Sequence, residues 1–163
     1  MITLIKEIRS LKGNSKGIFF ILAFRTSHIF TKNIIVKLLG FPVRILYKII
    51  IQWILGIDID DSTKIGHGFN VFHGQGLIIN RSTIIGNNVT IRQNTTIGNA
   101  KSNGGSPIIN DNVEIGANSV IIGNITIGKN SVIAAGSVVV KNVQENVIVA
   151  GNPAHFIKYI KLK

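Results

Sequence analysis

The chain has 163 residues, 45% of them hydrophobic, enough for one compact core and a small appendage. It contains no cysteine, which excludes disulfides, zinc–thiolate sites and thiol nucleophiles. The formal charge of +11 is uneven: residues 1–56 carry nine Lys/Arg and one acid, a net +8, while residues 57–163 carry nine and six, a net +3.

From the start, MITLIKEIRSLKGNSKG is charged and has no long apolar run before a small-residue cleavage site. No secretory signal is expected, and the expected location is cytoplasmic. Residues 34–55 are apolar, but Lys37, Arg44 and Lys48 interrupt them and Pro42 follows Gly40. A bilayer core needs roughly 20 mostly uncharged residues. Residues 1–56 are therefore expected to form a helical region, with amphipathic helices at about 18–32 and 43–55 and a break at Gly40-Phe41-Pro42. Its basic excess favours an anionic partner. No recognition helix, zinc finger or RNP-like motif is visible, so nucleic acid is not expected. Two alternatives stay open: a solvated basic face, or peripheral contact with anionic membrane at its inner face.

After residue 57 a six-residue period replaces helical spacing. Aliphatic residues fall at 59, 65, 71 and 77, at 85, 91 and 97, and at 109, 115, 121, 127, 133 and 139. Three residues after most of them stands Gly or Asn: Gly68, Gly74, Asn88, Asn94, Asn112, Asn118, Asn124, Asn130, Gly136 and Asn142. Gly and Asn best tolerate left-handed backbone, so a bend is expected at each of these offsets. Three short flats and three bends make a triangular coil, and stacked coils pair as parallel strands. A β-sandwich would instead alternate with period two and keep no six-residue clock. The predicted fold is mainly β, a parallel β-helix over 57–150, with a short N-terminal α-helical region and a tail at 151–163. Two steps break the clock. Leu77 to Ile85 is eight residues, and Ile97 to Ile109 is twelve, holding the polar stretch 99–107. Insertions in solenoids become loops, often on the binding face.

These hexads resemble the hexapeptide-repeat acyltransferases, whose β-helix is left-handed. A nearer likeness, to serine acetyltransferases, runs through residues 18–158. It rests on Arg25 and His28 of an R-x-x-H segment, on Asp58-Ile59, Lys64-Ile65-Gly66 and His73 with Gly76, and on 134–139 and 150–154. Two departures stand out. Phe72 occupies the place of an Asp before the family's histidine, and Gly105-Ser106 stand where an Arg-His pair precedes the loop proline. Those missing groups are understood to hold the amino acid. The chain is more similar to the shortened branch associated with capsule or exopolysaccharide clusters, of colanic acid acetyltransferase type. That likeness implies a saccharide hydroxyl as acceptor and acetyl-CoA as co-substrate.

Acetyl transfer to a hydroxyl needs a base, oxyanion donors and a proton for the leaving thiolate. One histidine can serve as base and then acid. His73 is the candidate, against the alternative of a solvated histidine. Asp58 is the candidate orienter of its ring, with Asp60 as substitute, against the alternative that Asp58, Asp60 and Asp61 only cap the helix-to-coil junction. His67 lies one hexad from His73, and no metal site is expected. His28 is expected to pack within the helical part, with an acceptor role left open.

The resemblance implies a homotrimer. It implies an acetyl-CoA groove between neighbouring β-helices, at the positions matching Gly98, Asn99, Ala117, Ala135 and Gly136. Lys141 and Lys158 are candidates for the phosphates. The expected activity is O-acetylation of a saccharide. The rivals are serine O-acetylation, N-acetylation of an amino-sugar nucleotide, and a non-catalytic β-helix scaffold.

Overall fold

In a computed structural model, which describes residues 2–11 and 13–161, the aliphatic clock closes the chain into three-sided coils. Strands alternate with corners throughout: β1 (Ile57–Ile59), β2 (Lys64–Ile65), β3 (Asn70–Phe72), β4 (Leu77–Ile79), β5 (Ile84–Ile85), β6 (Thr90–Arg92) and β7 (Thr96–Gly98). They continue as β8 (Ile108–Ile109), β9 (Glu114–Ile115), β10 (Val120–Ile122), β11 (Thr126–Ile127), β12 (Val132–Ile133) and β13 (Val138–Val139). Face one is ordered β1-β4-β7-β10-β13, and face two β11-β8-β5-β2. Face three carries β12-β9-β6-β3 and ends in β14 (Val147–Gly151) and β15 (Ala154–Tyr159). All neighbours are parallel except β14 with β15, so residues 154–159, within the expected tail, form an antiparallel strand on face three.

Each face owns one stack of core residues. Ile59, Ile79, Ile97, Ile121 and Val139 are in register on face one. Val71, Ile91, Ile115, Ile133 and Val149 are in register on face three. All ten are at most 6% exposed. Burying each such side chain is worth about 1.5–3 kcal/mol, so the clock itself holds the coils in register.

The register corrects one sequence expectation. Ile59 stacks on Ile79, not on Leu77, and Ile79 stacks on Ile97. The first coil is thus twenty residues and the second eighteen. The eight-residue step therefore runs from Val71 to Ile79. The Gln75 carbonyl accepts from the Asn94 amide at 2.9 Å, and Gly76 lies against the Asn94 side chain. Gln75-Gly76 thus match Gln93-Asn94 of the next coil, and His73-Gly74 are the two extra residues.

Eight of the ten expected bends have left-handed backbone, from Gly68 to Gly136, while Asn124 and Asn142 do not. Near the first, Gly123 takes that role; the Asn142 side chain instead accepts from the Thr126 amide at 2.8 Å. At one corner the asparagines form a ladder. Asn88 donates to Asn112 at 3.1 Å, Asn112 to Asn130 at 2.9 Å, and Asn130 to Asn146 at 2.8 Å.

The helical region covers the first coil. It comprises α1 (Ile2–Ser10), α2 (Ser15–Ile29), α3 (Ile34–Leu39) and α4 (Phe41–Tyr47), with α4 continuing as a π-helical segment Lys48–Ile54. α1 and α3 lie within the expected helical region but outside its two named segments. Phe20 meets Phe69 of the coil edge-on at 6.1 Å, and Phe24 stacks on Phe20 at 5.8 Å. The Tyr47 hydroxyl donates to the Ile59 carbonyl at 2.8 Å. Burial, then the nearby Asp61, Asp60 and Asp58, push that phenol well above its ordinary range, so it stays a donor.

Two polar clamps fix this docking. Glu7 is only 4% exposed; it pairs with Arg25 at 2.9 Å and accepts from the Gly68 amide at 2.8 Å. Arg25 also donates to the carbonyls of Ile65 and Gly66. In the second clamp, Asp61 accepts from Ser27 at 2.6 Å and from Arg44 at 2.8 and 2.9 Å. Burial pushes the Asp61 carboxyl up, but the bonds from Arg44 and Ser27 and the Arg44 charge outweigh it and hold it below its ordinary value.

Candidate active site

His73 stands at the corner between β3 and β4, on the two-residue insertion. Its φ is +65°, and each of the other non-glycine residues with positive φ among those described is an asparagine. A non-glycine residue there costs on the order of 1 kcal/mol or more and persists where the surroundings over-determine it. The surroundings here are a tight double turn. Gly74 donates to the Phe72 carbonyl at 2.8 Å and Gln75 to the His73 carbonyl at 3.0 Å. Gly74 has φ +71°, and a Cβ on it would lie 2.8 Å from Ile57 Cδ1 and 2.9 Å from Val71 Cγ1. Neither the turn nor the space admits a side chain.

The His73 side chain is exposed and borders a cavity of about 230 Å³ with Ser15, Lys16, Phe19, Leu55, Ile57 and Gln75. The first turn of α2 therefore forms one wall. It is held there by Asn14, whose side chain accepts from the Gly17 amide at 3.0 Å and donates to Asn70 Oδ1 and the Val71 carbonyl, both at 2.8 Å. Sequence reasoning missed this wall. The available signal was Asn14 before a helical run, an N-cap residue type.

Asp58 points outward from β1, accepts from Gln52 Nε2 at 3.2 Å, and lines a different cavity from His73. No hydrogen bond between Asp58 and the His73 ring is present among the described residues. Asp60 accepts from the Ser62 amide at 2.8 Å and faces Arg81 at 3.8 Å. Of the three acids, Asp61 alone is buried, and it holds the helix-to-coil junction. His28 stacks on Phe24 at 5.5 Å, with Nδ1 donating to the Asp61 carbonyl at 2.7 Å, so it packs inside the docked helical layer. Phe72 lies under Arg92, whose guanidinium is 5.2 Å from the ring centroid. An aromatic–cation pair thus occupies the face beside His73.

The groove candidates fall on two edges of the triangular coil. One edge is the corner between faces three and one, headed by the His73 insertion. The Asn118 amide donates to the Gln93 carbonyl at 3.1 Å and the Gly136 amide to the Ala117 carbonyl at 2.8 Å. Along this edge the corner residues run Gln75, Gln93, Ala117, Ala135, from polar to small. A Cβ on Gly136 would meet nothing within 4 Å, so the main chain is open to a ligand. The other edge follows face one and carries Gly98, Asn99 and Lys141. Gly98 and Asn99 line a cavity of about 710 Å³ with Trp53, Asp58, Asn80 and Arg81. Asn80 donates to Asn99 at 3.0 Å and accepts from Ser106 at 3.1 Å, pinning both ends of the polar loop to the coil. Lys141 borders a third cavity, about 360 Å³, with His155, Phe156 and Tyr159 of β15; Lys158 is exposed on the same strand. His67 is exposed, and no cluster of three or more metal-ligand side chains occurs among the described residues.

A family model described as bacterial transferase hexapeptide (six repeats) matches residues 106–141. Over 91 residues the chain is 35% identical to a protein of Escherichia coli K12 named as the colanic acid biosynthesis acetyltransferase WcaB. That match takes in 53% of this chain and 56% of the relative, little more than half of either. The crystal structure of serine acetyltransferase from Brucella abortus strain S19 superposes with a TM-score of 0.82 at 30% identity, covering 99% of this chain and 70% of that one. The same enzyme in complex with coenzyme A gives a TM-score of 0.82 at 30% identity, covering 99% and 68%. The fold is thus the left-handed parallel β-helix of these acetyltransferases.

Proposed function

Because the chain belongs to the hexapeptide-repeat acyltransferase family, we propose that it is an acetyl-CoA-dependent O-acetyltransferase acting on a saccharide hydroxyl. The observation that carries this reading is His73, held in left-handed backbone on a two-residue insertion beside a cavity. The coil needs neither residue to close, so the turn serves the side chain it presents. The His73 ring takes the proton from the acceptor hydroxyl as that oxygen attacks the thioester carbonyl. It returns the proton to the thiolate as the carbon–sulfur bond breaks. Asp58 is the proposed orienter; its carboxylate keeps free acceptor sites beside the bond from Gln52, and its side chain must swing to reach the ring in the loaded enzyme.

Acetyl-CoA supplies the activated acetyl group. The residues that would hold it are Gly98, Asn99 and Lys141 on one edge, Ala117, Ala135 and Gly136 on the other, and Lys158 on β15. Two edges of one triangular coil do not face each other. They converge when a second copy brings one edge against the other, which supports a homotrimer closing three such grooves. Light scattering that gives a monomer at assay concentration would remove this groove.

The saccharide reading draws on the relative named for colanic acid biosynthesis and on Phe72, paired with Arg92, which puts an aromatic ring at the position before His73 where a serine acetyltransferase-like site would carry an Asp. The whole-chain likeness to serine acetyltransferases favours L-serine as the second reading. Thiol release from acetyl-CoA against L-serine, amino-sugar nucleotides and capsule-type oligosaccharides separates them. Release with oligosaccharide, lost in His73→Ala, is the expected result. Release with serine alone would overturn the acceptor, and release undiminished in His73→Ala would overturn the base.

A further inference from the structure

We propose that the outer face of residues 34–54 docks on an anionic phospholipid surface. Its inner side is already used: Tyr47 and Ile51 are 5% and 0% exposed against the first coil. Much of the rest of the segment is apolar and lies open, and α3 has no buried residue. Ile34, Leu38, Leu39, Trp53 and Ile54 are 70–79% exposed, and Phe41, Leu46 and Ile45 add to them. A helix apolar on both sides needs cover on both, and a patch of this extent on a soluble surface marks an interaction site.

Charge selects the occupant. Residues 8–57 contain eight Lys/Arg and no acid. Two of these cations, Arg25 and Arg44, are taken up by Glu7 and Asp61. Lys32, Lys37 and Lys48 lie within or beside the apolar segment, with no acid among the described residues in ion-pair range. Two copies of this face packed together would set lysines against lysines. Anionic headgroups would instead neutralise them while the acyl region takes the leucines and isoleucines. No described helix is long and apolar enough to cross a membrane, and α3 and α4 break at Gly40. Short helices of this kind lie in the interface plane. Trp53 suits that depth, with Lys48 Nζ 5.9 Å from its ring centroid.

The test needs no acetyl donor, so its outcome is independent of the enzymatic reading. Purified full-length protein is floated with vesicles of phosphatidylcholine alone and of phosphatidylcholine with phosphatidylglycerol. Trp53 is the chain's single tryptophan; it borders both this face and the cavity lined by Gly98 and Asn99, so a vesicle-dependent change in its emission is the reading for lipid contact. Flotation with the anionic vesicles and not the neutral ones, reversed by high salt and accompanied by a blue shift, is expected. Leu38→Asp/Leu46→Asp and Lys32→Glu/Lys37→Glu should each weaken partition at least about tenfold, with unchanged melting and light scattering. Absence of flotation with anionic vesicles would overturn the proposal, as would undiminished binding in both variants. So would a larger assembly that Leu38→Asp/Leu46→Asp splits, which would make the occupant a second copy of this chain.

Discussion

The Asn14 side chain donates to the Val71 carbonyl at 2.8 Å, two residues before His73. The same amide accepts from Gly17 at 3.0 Å, so one group starts α2 and grips the strand that leads into the candidate base. Gly17 permits the approach, since a Cβ there would lie 2.3 Å from Asn14 Nδ2.

Asn14→Ala removes a cap worth about 1 kcal/mol and frees the cavity wall. We expect a lower melting temperature and a fall in kcat for thiol release larger than the change in KM for acetyl-CoA. Circular dichroism melts with steady-state kinetics check it. A melting change with kinetics untouched would confine Asn14 to the fold.

His73→Asn should separate stability from chemistry. Asparagine fills the other strained corners, so the variant should melt at or above the wild-type temperature. Loss of a general base should lower kcat by about 10²–10⁴-fold. Gly74→Ala should do the reverse to stability, because φ +71° and the contacts with Ile57 and Val71 leave no place for a methyl.

Acid should loosen the helical cap first. The folded Asp61 carboxyl is held below its ordinary 3.8. Its contribution is complete above that value and disappears as pH falls through the lower folded value. Asp61→Asn should cost about 2–3 kcal/mol near neutrality and flatten the acid limb of a melting-temperature profile between pH 5 and 2. Wild type and variant losing stability in parallel with acid would show that other carboxylates govern the limb.

Thr63 and Thr83 are 0% exposed and their hydroxyls have no partner. In register, the next two coils place Pro107 and Ile125 in the same stack. Thr83→Val removes an unpaired buried hydroxyl without changing shape, and should stabilise by about 1 kcal/mol, read as a raised denaturation midpoint.

The coil was legible because each turn repeats the same demand, one inward aliphatic every six residues. Where two candidates compete, hydropathy fails. Leu77 and Ile79 are 0% and 3% exposed, and only the pairing with Ile59 and Ile97 shows that Ile79 keeps the clock. The misplaced step hid the fact that His73 lies on an insertion. The docking of α1 was not legible either, since Glu7 acquires its role from Arg25 and Gly68, distant in sequence. At the candidate site, the context of His73 singles it out in the sequence, but the wall formed by Lys16 and Phe19 could not be read there, because it depends on how α2 docks. The Asp58 carboxylate likewise followed a neighbour, Gln52, that no spacing rule selects.

The His73-Gly74 insertion has a consequence for how such a protein can change. Without those two residues, Phe72-Gln75-Gly76 would repeat the Arg92-Gln93-Asn94 corner above it, and the first coil would shorten from twenty residues to eighteen. The architecture would lose nothing it needs to stand. On the proposed reading, the reactive side chain is a removable part: a lineage could acquire or discard it at one corner, leaving behind an inert pillar with every other coil in its place.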